Sequence, residues 1–260
     1  MTHLQADGIQ VGYDTRPILD QLSVTIPQGQ ITTIIGANGC GKSTLLKALT
    51  RLLPLTDGQV ILDGQNIATL PTKAVAKKIA LLPQVLGQEE HIKVYDLVAY
   101  GRYPHQSFLG SLSDKDKACI DWALDVTGTQ ALKDQPVDAL SGGQRQRVWI
   151  AMALAQDTDT IFLDEPTTYL DLNHQLEILE LLKELNETTH KTIVMVLHDL
   201  NLSARFSDYL IAMKDGQIIT QGSVWDVMTA DHLKDIFQIQ AELTQDPITH
   251  RPILLTYRLV

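Results

Sequence analysis

One stretch constrains this chain more than any other: Gly36-Ala37-Asn38-Gly39-Cys40-Gly41-Lys42-Ser43-Thr44. It lies between the apolar run Ile31-Thr32-Thr33-Ile34-Ile35 and the helix-forming Leu45-Leu46-Lys47-Ala48-Leu49. The pattern is G-x-x-x-x-G-K-[ST], a strand running through a glycine-rich loop into a helix. Its glycines let backbone N–H groups turn toward an anion with no Cβ in the way. The helix behind the loop adds the positive end of its dipole. Lys42 has the reach for β- and γ-phosphates, and the Ser43 hydroxyl is a hard ligand suited to Mg²⁺. A glycine-rich turn that merely happens to contain Lys-Ser does not account for the strand before it and the helix after it.

The 260 residues suffice for one large domain or one domain with an inserted lobe, and 44% hydrophobic residues allow a sizeable core. A net charge of −10 argues against a general nucleic-acid binder, so no nucleic-acid partner is expected. Cys40 and Cys119 stand too far apart for a zinc spacing and suggest no disulfide framework, which points to a reducing cytoplasm. Cys40 sits inside the loop. Either a thiol reagent there blocks nucleotide entry, or Cys40 is a small residue that simply fits. The N-terminus lacks a basic segment followed by an apolar one, and no apolar run approaches the ~18 residues of a membrane span. Membrane association is therefore expected only through a partner.

Alternating residues in 1–30 predict short strands around a turn at Asp14-Thr15-Arg16-Pro17. Tyr13 either stacks on an adenine ring or packs as an ordinary core or edge tyrosine. Asp63-Gly64 marks a hairpin, 71–78 a helix with Pro71 near its start, and 79–83 a buried strand ending at Gln84. From 85 to about 140 the pattern becomes helical, with Lys93–Tyr100 and Lys115–Val126 as helices and Ser113 capping the second. Leu140-Ser141-Gly142-Gly143-Gln144 opens a strong helix through Gln156. Ser141 and Gln144 make a capping box, yet the same glycines and hydroxyl at a helix start suit an anion.

Thr160–Glu165 is an apolar strand ending in two carboxylates. Asp164 suits Mg²⁺ and Glu165 suits an attacking water, although two acids also begin many polar loops. Leu170-Asp171 leads into a long helix carrying Leu176, Leu179, Leu182 and Leu185. Thr192–Leu197 is a second buried strand, ending at His198, which is either a surface histidine or a bridge from γ-phosphate to water. A turn at Asp215-Gly216, a helix from about Val224 and a strand-like Ile253–Tyr257 complete the chain. Strands alternating with helices around such a loop indicate an α/β fold with a parallel sheet.

Taken in order, the set resembles the ATP-binding cassette (ABC) ATPases. Tyr13 matches the aromatic A-loop, Gly36 to Ser43 the Walker A motif and Gln84 the Q-loop. Leu140 to Gln144 match the LSGGQ signature, Ile161 to Asp164 Walker B, Leu170-Asp171 the D-loop and His198 the switch histidine. The resemblance implies a P-loop fold with a RecA-like, mostly parallel core sheet, an antiparallel β subdomain and an inserted helical subdomain. It implies a core lobe of 1–84 and 157–225, a helical lobe of 85–156 and a tail of 226–260.

It further implies ATP and Mg²⁺ as cofactors. Tyr13, Gly36 to Thr44, Ser141 to Gln144 and Asp171 bind ATP, and Ser43, Gln84 and Asp164 hold the metal. Glu165 activates water, assisted by Lys42, His198 and the γ-phosphate-sensing Gln84. Two copies form a head-to-tail homodimer, each ATP lying between the loop of one and the Ser141–Gln144 stretch of the other.

The stretches Tyr100–His105, Trp149–Gln156 and Asp171–Gln175 look like those of bacterial iron–siderophore importer ATPases, with haem and vitamin B12 importers close by. That likeness implies integral-membrane permease partners docked on the helical lobe, with Tyr100 to Leu109 as the contact segment. It also implies an indirect siderophore-binding partner and a peripheral place on the cytoplasmic side of the inner membrane. Tyr169 departs from the small residue more common there. A soluble cassette acting on ribosomes or DNA usually carries two cassettes or a long coiled-coil insertion. A non-catalytic nucleotide module does not need both Glu165 and His198.

Overall fold

The computed structural model describes residues 3–13, 16–84, 91–106 and 111–260, with backbone only at Tyr13 and Arg16. The order begins β1 (Leu4–Tyr13), β2 (Arg16–Ile26), β3 (Ile31–Gly36), α1 (Lys42–Leu49), β4 (Asp57–Leu62), β5 (Gln65–Asn66), α2 (Thr72–Ala76) and β6 (Ile79–Leu82). Next come α3 (Val94–Tyr100), α4 (Asp114–Val126), α5 (Gly142–Ala155), β7 (Thr160–Asp164), α6 (Leu172–Thr189) and β8 (Thr192–Val196). The order closes with α7 (Leu200–Phe206), β9 (Tyr209–Lys214), β10 (Gln217–Ser223), α8 (Val224–Val227), α9 (Ala230–Phe237), β11 (Ile239–Gln245) and β12 (Pro252–Leu259).

The chain forms two compact units, Met1–Leu70 with Thr192–Val260, and Pro71–Lys191. In the first, β1 pairs antiparallel with β2 and β4, and β5 adds to β4. Leu4, Ala6, Ile9 and Val11 bury the inner face of β1, as a sheet solvated on one side requires. The strands expected in 1–30 are thus longer than anticipated, running 10 and 11 residues. A second sheet in this unit runs β10-β9-β3-β8, with β3 parallel to both β8 and β9 and only β10 antiparallel. Every residue of β3 and β8 is buried, which is why both read as continuous apolar runs rather than alternating ones.

Residues from the expected tail, 226–260, pack into the first unit. Val227, Met228, Leu233, Ile236, Ile239 and Ala241 join Ile35, Leu210 and Ala212 in one apolar cluster. β11 and β12 form an antiparallel hairpin. Asn201 fastens it to α7 by donating to Leu254 O at 3.2 Å and accepting from Leu254 N at 2.7 Å.

In the second unit β6 and β7 are parallel. The Gln156 amide, at the end of α5, donates to Ala76 O (2.6 Å) and Ile79 O (2.9 Å), binding that helix to the start of β6. Glu177 on α6 takes a 2.6 Å bond from Arg147 on α5. These ties belong to the second unit, in which β6, β7 and α6 group with the helices. The expected start of the helical lobe, 85–90, lies outside the described residues. So do 107–109 of the expected contact segment. Within that segment Tyr100 and Tyr103 are exposed. Arg102 instead turns inward, 1% exposed, donating to Asp116 Oδ1 (2.9 Å) and Ala155 O (2.7 Å).

A candidate nucleotide site

The first unit builds a phosphate cradle. β3 delivers the chain to Gly36, whose φ of 152° and surroundings admit no side chain: a Cβ there would lie 2.3 Å from Met213 O and 2.7 Å from Cys40 Sγ. Gly39 and Gly41 also have positive φ, and Gly41 is the N-cap of α1 with no side-chain cap bond. The helix start is therefore left to whatever anion the loop receives. The Lys42 ammonium is drawn back into the loop, donating to Gly36 O (2.9 Å) and Ala37 O (3.0 Å), and is buried. Ala37, Asn38 and Gly39 are exposed, Ser43 is half-buried and Thr44 is buried. A cation ringed by carbonyls, at a helix start reached over glycines, fits a polyphosphate.

His198 belongs to the same strand-end layer. β3 and β8 are parallel with Ile34 opposite Val196, so Gly36 and His198 each follow two residues later, at the same end of the strands. That end is where open α/β sheets bind ligands. Tyr13 ends β1, and its side chain lies outside the described residues. Cys40 is buried against Gly36 with a thiol pushed up by burial, an effect the nearby Lys42 partly opposes. This disfavours the reading of Cys40 as a reactive gate to the loop.

The second unit repeats the strand-end logic with carboxylates. Leu82 lies opposite Leu163, which places Gln84 and Glu165 at one level beyond β6 and β7. Gln84 Nε2 donates to Glu165 Oε2 at 2.7 Å. Thr168 Oγ1 donates to the same oxygen at 2.9 Å. Glu165 has a left-handed backbone, φ 55°, a conformation that costs roughly 1–3 kcal/mol and persists only where its surroundings enforce it. Asp164 is buried at the end of β7. Asp164 and Gln84 of this unit, like Ser43 of the first, offer oxygen from carboxylate, amide and hydroxyl, the hard donor types that suit magnesium.

The remaining expected residues also lie in this unit. Ser141 Oγ accepts from Gln144 N (3.3 Å) and Gln144 Oε1 from Ser141 N (3.1 Å), so the capping box is present at the start of α5. Gly142 and Gly143 form its first turn. Asp171 caps α6, accepting from His174 N at 3.0 Å and bonding His174 Nδ1 at 2.7 Å. The backbone bond first, and the imidazole second, hold the Asp171 carboxyl below its ordinary range. Sequence reasoning passed over Thr168 and the individual role of His174. Their only local signals were a hydroxyl three residues after Glu165 and a donor three residues after an N-cap.

A family model described as ABC transporter matches residues 19–168. The chain belongs to the ABC transporter family. It is similar over 260 residues, at 52% identity, to the iron(3+)-hydroxamate import ATP-binding protein FhuC of Bacillus subtilis (strain 168), covering all of this chain and 97% of that one. It is 44% identical over 255 residues to the ferric enterobactin transport ATP-binding protein FepC of Escherichia coli (strain K12), covering 98% and 94%. Among solved structures, a dimeric ATP-binding cassette in a post-hydrolysis state bound to ADP and Pi superposes with TM-score 0.74 at 28% identity, covering 85% and 98%. As an ABC transporter ATP-binding subunit this chain is an ATPase coupled to transport. Among the described residues, no helix is long and apolar enough to cross a membrane.

Proposed function

We propose that this chain hydrolyses ATP to energise import of ferric siderophores through membrane permease subunits, working as a head-to-tail homodimer at the cytoplasmic face. The observation carrying the hydrolytic half is Glu165, whose carboxylate is fixed through one oxygen by two donors, Gln84 and Thr168. A carboxylate held in place in this way is a fixed acceptor for a water proton. Lys42 leaves the carbonyls of Gly36 and Ala37 for the phosphates, and the N–H groups at the start of α1 receive the negative charge that builds up during transfer. His198 would bond the γ-phosphoryl group as it passes to water and ADP leaves. Ser43, Asp164 and Gln84 would hold Mg²⁺, which would supply charge neutralisation when bound. Ser141 to Gln144 present a helix start to the nucleotide of the partner copy. Because only the closed dimer gains those contacts, ATP favours closure, and closure does work on the permease.

The cargo assignment rests on relatives named for ferric hydroxamate and ferric enterobactin. The exposed Tyr100 and Tyr103 are the proposed permease contacts, and a siderophore-binding protein stands one step further out.

The test has two arms. Purified Glu165→Gln loses steady ATP hydrolysis and keeps ATP-dependent dimers, whereas wild type hydrolyses. Cells lacking the chain lose uptake of iron-labelled siderophore, and wild type but not Glu165→Gln restores it. Intact iron uptake with lost B12 or haem uptake replaces the cargo. Hydrolysis undiminished in Glu165→Gln removes Glu165 from its role.

A further inference from the structure

The start of α5 and the start of α6 are locked together by one side chain that no part of the reaction described so far uses. A Cβ built on Gly143 would lie 2.4 Å from His174 Cδ2, 2.9 Å from Cγ and 3.0 Å from Nε2. The imidazole therefore lies directly against the backbone of the signature stretch. The same ring bonds Asp171 Oδ1 at 2.7 Å, and Asp171 also accepts from the His174 backbone N–H. With its Nδ1 bonded to an Asp171 carboxylate that the His174 backbone N–H also holds, the ring gives up that bond if it swings aside to admit a methyl group. Two neighbouring contacts extend the seam. Leu170 Cδ2 comes within 3.8 Å of where a Gly142 Cβ would sit, and Arg147 bridges to Glu177 one turn further along both helices.

We infer that His174 is a positioning residue that sets the Ser141–Gln144 stretch and Asp171 in one fixed arrangement, so that a partner copy's nucleotide meets both together. The inference deepens the head-to-tail reading and rests on it. The side chain touches neither nucleotide nor reacting atoms. Its removal leaves ATP binding by the chain's own loop intact and loosens only the surface that closes on the other copy.

The test uses full-length chain in the Glu165→Gln background, following ATP-driven dimers by sedimentation and monomer ATP affinity by equilibrium binding. His174→Ala raises the dimer dissociation constant about tenfold, as loosened positioning groups do, while monomer affinity stays within about twofold. His174→Asn, which keeps a donor for Asp171, loses only about threefold. A second measurement is thermal unfolding. Gly143→Ala lowers the midpoint by several degrees in the native background. In the His174→Ala background the same change is neutral or raises it, because alanine is the better helix former once the ring is gone. Equal dimerisation of His174→Ala and its parent overturns the inference, as does a Gly143→Ala penalty unchanged by removing the ring. A Glu165→Gln parent that never dimerises with ATP overturns the head-to-tail reading and this inference with it, whatever the unfolding data show.

Discussion

Replacing Asp116 by Asn tests how the helices of the second unit hold together. Asp116 lies at the third position of α4, accepting from Ser113 N (2.9 Å) and Ser113 Oγ (2.6 Å) on one oxygen and from Arg102 Nε on the other (2.9 Å). The Ser113 hydroxyl, then its N–H and the Arg102 guanidinium, outweigh burial and hold the carboxyl at about 2 instead of 3.8. That difference is worth about 2 kcal/mol of stability. The sign follows from the direction. A depressed carboxyl stabilises above its unfolded pKa, and the contribution fades as pH falls toward the folded value. Asn keeps the shape and lacks the charge, so the gap between wild type and Asp116→Asn should be about 2 kcal/mol at pH 7 and about 1 kcal/mol at pH 3. Urea unfolding followed by fluorescence of Trp122 and Trp149, both in this unit, measures it. A gap that stays constant from pH 7 to pH 3, or one that never appears, refutes the reasoning. A gap larger than about 3 kcal/mol at neutral pH is the signature of Arg102 left buried without its counter-ion.

Four further outcomes are expected. At pH 8, iodoacetamide should modify Cys119 at least about tenfold faster than the buried Cys40, as peptide mapping would show; equal rates would restore Cys40 as a gate. Gly36→Ala forces a methyl group against Met213 O and should abolish ATP binding while costing about 2 kcal/mol or more in unfolding experiments; a functional, fully stable variant contradicts the close approach. Thr168→Val removes a donor to Glu165 Oε2 and should lower kcat about tenfold with little change in KM, the pattern of an interaction made in the transition state; a purely KM effect would place Thr168 in binding instead. Asn201→Ala frees Leu254 N and O and should raise amide hydrogen exchange across β12 before that of β3 or β8; uniform exchange would show that the hairpin does not depend on this tie.

The sequence by itself determined whatever is decided within a few residues. The loop 36–44 could be read because its glycines, lysine and serine act through their own backbone and the adjoining helix. Ser113 and Ser141 could be read as caps because a capping box closes over a single turn, and both boxes are present. Continuous apolar runs disclosed β3, β7 and β8 for the same local reason. Tertiary structure decided what depends on partners far along the chain. Arg102 sits in a stretch that reads as exposed, yet its acceptors lie 14 and 53 residues away and draw it into the interior. Gln84 meets Glu165 across 81 residues, a pairing only parallel β6 and β7 create. Leu233, Ile236 and Ile239 of the tail find their apolar neighbours on β3 and β9. His174 reads as one polar residue in a helix; only the packing of α6 against α5 brings its ring over Gly143. Local chemistry travels with the residues, whereas burial and contact depend on which distant surfaces the fold brings together.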